Sequence, residues 1–133
     1  MILLDTHAVI WWQAGGQRLS ARATREIAKA DALLVSPISC WEIAMLAEKA
    51  RVAFDRPVYT WVRDLFEQER IEIAPLSPQA AVGAAMLPRS GFRGDPADAF
   101  LYASARELVV PLVTKDTNIR AYARTAKDVR TIW

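Results

Sequence analysis

Histidine and cysteine are nearly missing from this chain: His7 and Cys40 are the only ones in 133 residues. That excludes an internal disulfide, a Cys/His structural zinc site and a triad in which one histidine is oriented by another. No uncharged apolar run approaches the roughly 18 residues of a membrane-spanning helix. The opening Met1-Ile2-Leu3-Leu4 is cut off by Asp5 and carries neither a basic leader nor a small-residue cleavage signal, so a soluble, cytoplasmic protein is expected. Any chemistry must rest on carboxylates, hydroxyls and basic groups.

The residues that are plentiful describe a compact unit. With 53% hydrophobic and 24% charged residues, residues 1–133 are expected to form one α/β domain that buries most of its apolar surface. Short apolar runs at 2–4, 32–36, 71–75 and 109–114, with a weaker one at 129–132, have the character of buried strands. Helical patterns fill the gaps. Ser20, Ser77 before Pro78, and Asp95 before Pro96 are N-cap signals, and Ser39 with Glu42 has capping-box spacing. In the stretch after Pro57, Val58, Trp61, Val62, Leu65 and Phe66 recur at amphipathic helix spacing. The order β, α, α, β, α, α, β, α, α, β, α, β implies a mostly parallel sheet covered on both faces.

Four acids take their meaning from that order. Asp5 and Asp116 directly follow strands, Asp98 falls in the first turn of a helix, and Glu42 begins a helix soon after the second strand. In open parallel sheets, ligands bind beyond the carboxyl ends of the strands. Two carboxylates about 4 Å apart repel by roughly 4 kcal/mol at an effective dielectric near 20, so a cluster of four calls for a cation. Oxygen ligands alone select Mg²⁺ or Mn²⁺ over zinc. Each acid also has a purely structural reading: Asp5 and Asp116 as helix caps, Glu42 as the return arm of the Ser39 box, Asp98 as a helix-dipole partner. Asp95 is explained as an N-cap and is a possible fifth, outer ligand.

Net charge is +2, and it rises to +6 once those four acids are neutralised, which favours a polyanionic partner. The basic segment PRSGFRG at 88–94 precedes the acidic helix, so Arg89 and Arg93 are candidates for contacts to the backbone of such a polyanion and Phe92 for stacking on an unpaired base. Lys115, beside Asp116, is a further basic candidate. A lone histidine near a helix start is usually structural, which is the reading for His7. The five tryptophans are assigned mainly to the core, with Trp41 or Trp61 available for a dimer or partner surface. Cys40 reads as a small buried hydrophobe.

Four motifs in order, LLDTHAVIWW at 3–12, SCWEIA at 39–44, GDPADAFLYASA at 94–105 and LVTKDTNI at 112–119, make the whole chain resemble PIN-domain proteins, in particular VapC-type toxins of type II toxin–antitoxin pairs. The resemblance implies a five-stranded parallel sheet of order 3-2-1-4-5 flanked by helices, and Mg²⁺- or Mn²⁺-dependent endoribonuclease activity. Water activated by the metal would leave 5′-phosphate and 3′-hydroxyl ends. It also implies a homodimer and a small VapB-like cognate antitoxin. The family's metal-binding acids map onto Asp5, Glu42, Asp98 and Asp116, with Thr6 and Thr114 as supporting hydroxyls. Many relatives carry arginine after the third acid, where this chain has Ala99, which weakens any basic substrate contact there. Two alternatives remain at this point. A phosphotransferase of haloacid dehalogenase type would need an acid where His7 stands, and a non-catalytic RNA- or protein-binding module would not need all four acids.

Overall fold

The computed structural model describes all 133 residues. Five short strands, β1 (Ile2–Leu4), β2 (Leu33–Val35), β3 (Ile71–Ile73), β4 (Leu112–Val113) and β5 (Thr131–Ile132), form one sheet. All pairings are parallel and the order is β3-β2-β1-β4-β5, as the resemblance implied. Seven helices connect them: α1 (Thr6–Gln13), α2 (Ala21–Lys29), α3 (Pro37–Glu48), α4 (Val58–Glu67), α5 (Pro78–Met86), α6 (Pro96–Leu108) and α7 (Thr117–Ala126). Strands β2 and β3 add on one side of β1 and strands β4 and β5 on the other, and this change in winding places a topological switch point at the carboxyl end of β1.

Alternation along the strands divides the interior in two. Leu3, Leu34 and Leu112 face a core built with Ala84, Leu101, Tyr102, Ile119 and Ala123. Ile2, Leu4, Leu33, Val35, Val113 and Ile132 face the other core, with Val9, Ile27, Ile43, Trp61 and Leu65. The three inner strands β1, β2 and β4 are therefore apolar at every position because both faces are covered, whereas the edge strands β3 and β5 carry Glu72 and Thr131. Helix α5 packs closely on α6 because both carry small residues: a methyl added at Gly83 would lie 3.8 Å from the Ala103 Cβ.

Ser20 and Ser77 cap α2 and α5 as the sequence indicates, each accepting a backbone N–H at 3.0 Å. The Ser39–Glu42 capping box does not form. Helix α3 starts earlier, with Ser36 accepting from Ile38 N at 3.1 Å and Pro37 in the first turn. Proline's fixed φ favours that start, so Ser39 lies inside the helix, buried, and Glu42 lies beyond the first turn. The run 109–114 is also shorter than expected. Val109 is 89% exposed and adopts a left-handed φ of 55° as the C-cap of α6, leaving only Leu112–Val113 in the sheet. Of the tryptophans, Trp61 is buried, whereas Trp41 is 53% exposed on α3. No helix is long and apolar enough to cross a membrane.

Candidate active site

Asp5 ends β1 and caps α1, its Oδ1 accepting from Ala8 N at 2.8 Å. Its own backbone N–H donates to Val113 O at 3.0 Å, which fixes it to the end of β4. Asp116 follows β4 by three residues and caps α7, accepting from Ile119 N at 2.8 Å. Two acids on adjacent strand ends thus share the carboxyl edge of the sheet, each held by a helix N-terminus that favours negative charge. Asp98 is the third residue of α6, where it completes a capping box. Asp95 Oδ1 accepts from Asp98 N at 2.8 Å, and Asp98 Oδ2 accepts from Asp95 N at 3.2 Å. Helix α3, which packs on α6, supplies Glu42.

All four carboxylates are half-buried, and none is paired with a lysine or arginine. Burial is the main reason Asp98 is pushed up to about 7, followed by the charge of Asp95; Asp116 and Glu42 act in the same direction, against the Asp95 N–H. Burial also raises Asp5, with Glu42 adding to it, while Thr114 and the Ala8 N–H hold it down. Glu42 therefore acts on both Asp5 and Asp98, and Asp116 acts on Asp98, so the four share one electrostatic environment.

Two hydroxyls brace this edge. Buried Thr114 accepts from Asp116 N at 3.1 Å while lying beside Asp5, linking the acids of β1 and β4. Buried Thr6 donates to Ser39 Oγ at 3.0 Å, joining the helix after Asp5 to the helix that carries Glu42. Ser39's part is invisible to a cap-based reading because its partner lies 33 residues away. Gly94 is a second such residue. A Cβ there would come within 2.6 Å of the Phe92 ring and 2.8 Å of Asp98 Cβ, so only glycine lets the chain pass behind the acid.

The basic segment is corrected by the structure at one position. Phe92 is 5% exposed and packs against Tyr102 and Tyr122 at ring separations of 5.5 and 5.3 Å. It is a core residue, not a free stacking face. The preceding residues form a 3₁₀ turn, Leu87–Ser90, closed by Gly91 at φ 93°, and that turn delivers Phe92 inward. Arg89 and Arg93 remain exposed, and Arg93 lines a cleft of about 420 Å³ with Asn118 and Tyr122. Lys115 is exposed with its Nζ 5.7 Å from the Trp11 ring centre. Ala99, directly after Asp98, is buried.

No group of three or more His, Cys, Asp or Glu side chains is arranged so that it could hold a metal ion without some movement of the side chains. The donor set nevertheless fits a hard divalent cation. It is all oxygen, lacks any cationic partner, and Mg²⁺ is usually held by one or two carboxylates with several waters retained.

The sequence matches the PIN domain family over residues 2–125. The chain belongs to the PIN-domain family. This PIN domain is 42% identical to ribonuclease VapC22 of Mycobacterium tuberculosis over 132 residues, 99% of this chain and 98% of that protein. Its fold is similar to VapBC-1 from nontypeable Haemophilus influenzae, with TM-score 0.66, 16% identity and coverage of 98% of this chain and 96% of that one. It is also similar to VapBC-5 from Mycobacterium tuberculosis, with TM-score 0.62, 19% identity and coverage of 98% and 95%. The PIN-domain match leaves the haloacid dehalogenase alternative without support.

Proposed function

We propose that this PIN domain, acting as a single unit over residues 1–133, is the Mg²⁺- or Mn²⁺-dependent endoribonuclease of a toxin–antitoxin pair. The observation that carries the reading is the full-length similarity to a ribonuclease in a chain whose sheet edge holds four half-buried carboxylates without a cationic partner. Asp5, Glu42, Asp98 and Asp116 are the residues that would hold the cation, with Asp95 at the periphery. Bound there, a divalent ion supplies a Lewis acid that offsets phosphate charge and makes water nucleophilic near neutral pH.

The chain's own groups supply position. Thr114 and the two helix N-termini fix Asp5 and Asp116, and the Thr6–Ser39 link sets the distance between α1 and α3. Lys115, which adjoins Asp116, and the exposed Arg93 and Arg89 on the segment leading to α6 would draw the RNA backbone toward this acidic edge. In-line attack by water at phosphorus with departure of the 3′-oxygen gives 5′-phosphate and 3′-hydroxyl products. A small VapB-like antitoxin and a second copy of this chain are the proposed protein partners, and the cytoplasm the proposed location.

The test is to incubate purified protein with total RNA, with Mg²⁺ or with EDTA, alongside Asp5→Asn and Asp98→Asn. The reading expects cleavage that needs the cation and both carboxylates, and sequencing of the ends should give the stated chemistry. Cleavage that survives chelation and both substitutions would remove the metal site from the account. RNA binding without cleavage would favour a non-catalytic binding module.

A further inference from the structure

With Phe92 withdrawn into the core, the aromatic surface beside the acids lies on α1 instead. We propose that a groove of about 560 Å³ against α1 is a nucleotide subsite that takes the RNA base next to the scissile phosphate; this rests on the ribonuclease reading above. Its volume falls within the range of small-ligand pockets.

The groove contains none of the four acids, but one of its lining residues, His7, is close enough to Asp5 to act on its charge. His7, two residues after Asp5, and Trp11, one helical turn further, both line it, with ring centres 5.5 Å apart. They stand on one stripe of α1, about 6 Å apart along the axis. Trp11 is tied to the acidic edge from the other side, because Lys115, which approaches its ring, is the residue before Asp116. A chain with its phosphate at the carboxylates would have His7 and Trp11 beside it on α1, the helix that Asp5 caps. Phe54 and Trp61, 4.8 Å apart, form an apolar wall further along.

The charge of the lining selects the occupant. Arg18, Arg51 and Arg56 line the groove, against one acid, Asp55. Arg56 is held by Asp55 at 2.8 Å and Asp64 at 2.7 Å. Arg18 and Arg51 are exposed and make no ion pair or side-chain hydrogen bond, which leaves two cations unengaged beside an aromatic surface. Aromatic rings with unpaired arginines are the composition of a single-strand site, in which bases stack and phosphates meet positive charge. An apolar peptide partner would use the rings and leave those arginines without a counter-charge.

The experiment measures fluorescence anisotropy of the full chain, in an Asp98→Asn background that prevents turnover. One probe is a labelled short single-stranded RNA of mixed sequence, and the other is a sugar-phosphate strand of equal length without bases. His7→Ala and Trp11→Leu should weaken binding of the RNA about tenfold while leaving the base-free strand unaffected. Arg18→Ala and Arg51→Ala should weaken both probes and lower the salt dependence by about 0.7 each. Because Trp11 also packs on the core, the exposed residues His7, Arg18 and Arg51 carry the test if Trp11→Leu does not fold. Unchanged binding of both probes by these variants, or loss only of binding to a purified antitoxin, overturns the proposal. Parallel cleavage assays on the unsubstituted protein separate the two readings. A chain that cleaves RNA with an unresponsive groove loses only the subsite, whereas one that neither cleaves nor binds RNA loses the ribonuclease reading as well.

Discussion

The Thr6 hydroxyl donates a 3.0 Å hydrogen bond to Ser39 Oγ across 33 residues of sequence, both groups buried. This is the direct polar tie between the helix that follows Asp5 and the helix that carries Glu42. A buried hydroxyl left without its partner costs about 1–3 kcal/mol, whereas removing both partners costs much less. Thr6→Val and Ser39→Ala should each lower unfolding free energy by about that amount, and the double variant by less than their sum. Urea denaturation of the four proteins checks this, and strictly additive losses would show that the hydroxyls act separately.

Gly94 gives a second expectation. A methyl there would meet Phe92 at 2.6 Å and Asp98 Cβ at 2.8 Å, closer than side chains pack. Gly94→Ala must displace one or the other, at a cost of about 1–3 kcal/mol in strain. Thermal melting and RNA cleavage should therefore both fall, although the substituted residue carries no functional group. Wild-type values for both would mean that the segment before α6 can shift freely.

The pH dependence of the cation-free protein follows from Asp98. Its carboxyl is pushed up to about 7 from an ordinary 3.8, mainly by burial and then by Asp95. The folded state therefore keeps a proton that the unfolded chain has already lost. The associated stability is complete below 3.8 and is lost as pH rises through about 7. Asp5, raised as well, contributes in the same sense. In the presence of chelator, wild-type melting temperature should fall relative to Asp98→Asn between about pH 4 and pH 7. Parallel curves would show that Asp98 ionises in the folded protein as it does in the unfolded chain.

Much of this arrangement is legible in the amino-acid order. Apolar runs ended by Asp5 and by Lys115–Asp116 locate the sheet edge, and the Ser-Pro and Asp-Pro pairs locate helix starts, because both signals are local. Non-local contacts are hidden. Ser39 reads as a cap until Thr6 is seen to reach it, and Phe92 reads as an exposed aromatic in a basic loop until Tyr102 and Tyr122 are seen to enclose it. The reverse holds for Trp11, which reads as core but stands beside the acids through its neighbours His7 and Lys115. The structural and functional readings of the acids also coincide: Asp5, Asp98 and Asp116 all accept backbone N–H groups at helix starts. Capping fixes their directions and leaves carboxylate oxygen free for a ligand, because a carboxylate has several acceptor positions.

The most direct measurement is a titration of the purified protein with Mn²⁺ above pH 7, following the free ion by electron paramagnetic resonance, for the wild type and for Asp5→Asn, Asp98→Asn and Asp116→Asn. The account predicts saturable binding by the wild type and at least about a tenfold loss of affinity in each variant, since each removes a charged oxygen donor. Absence of binding by the wild type, or affinity unchanged in all three variants, would contradict the claim that these carboxylates form a cation site.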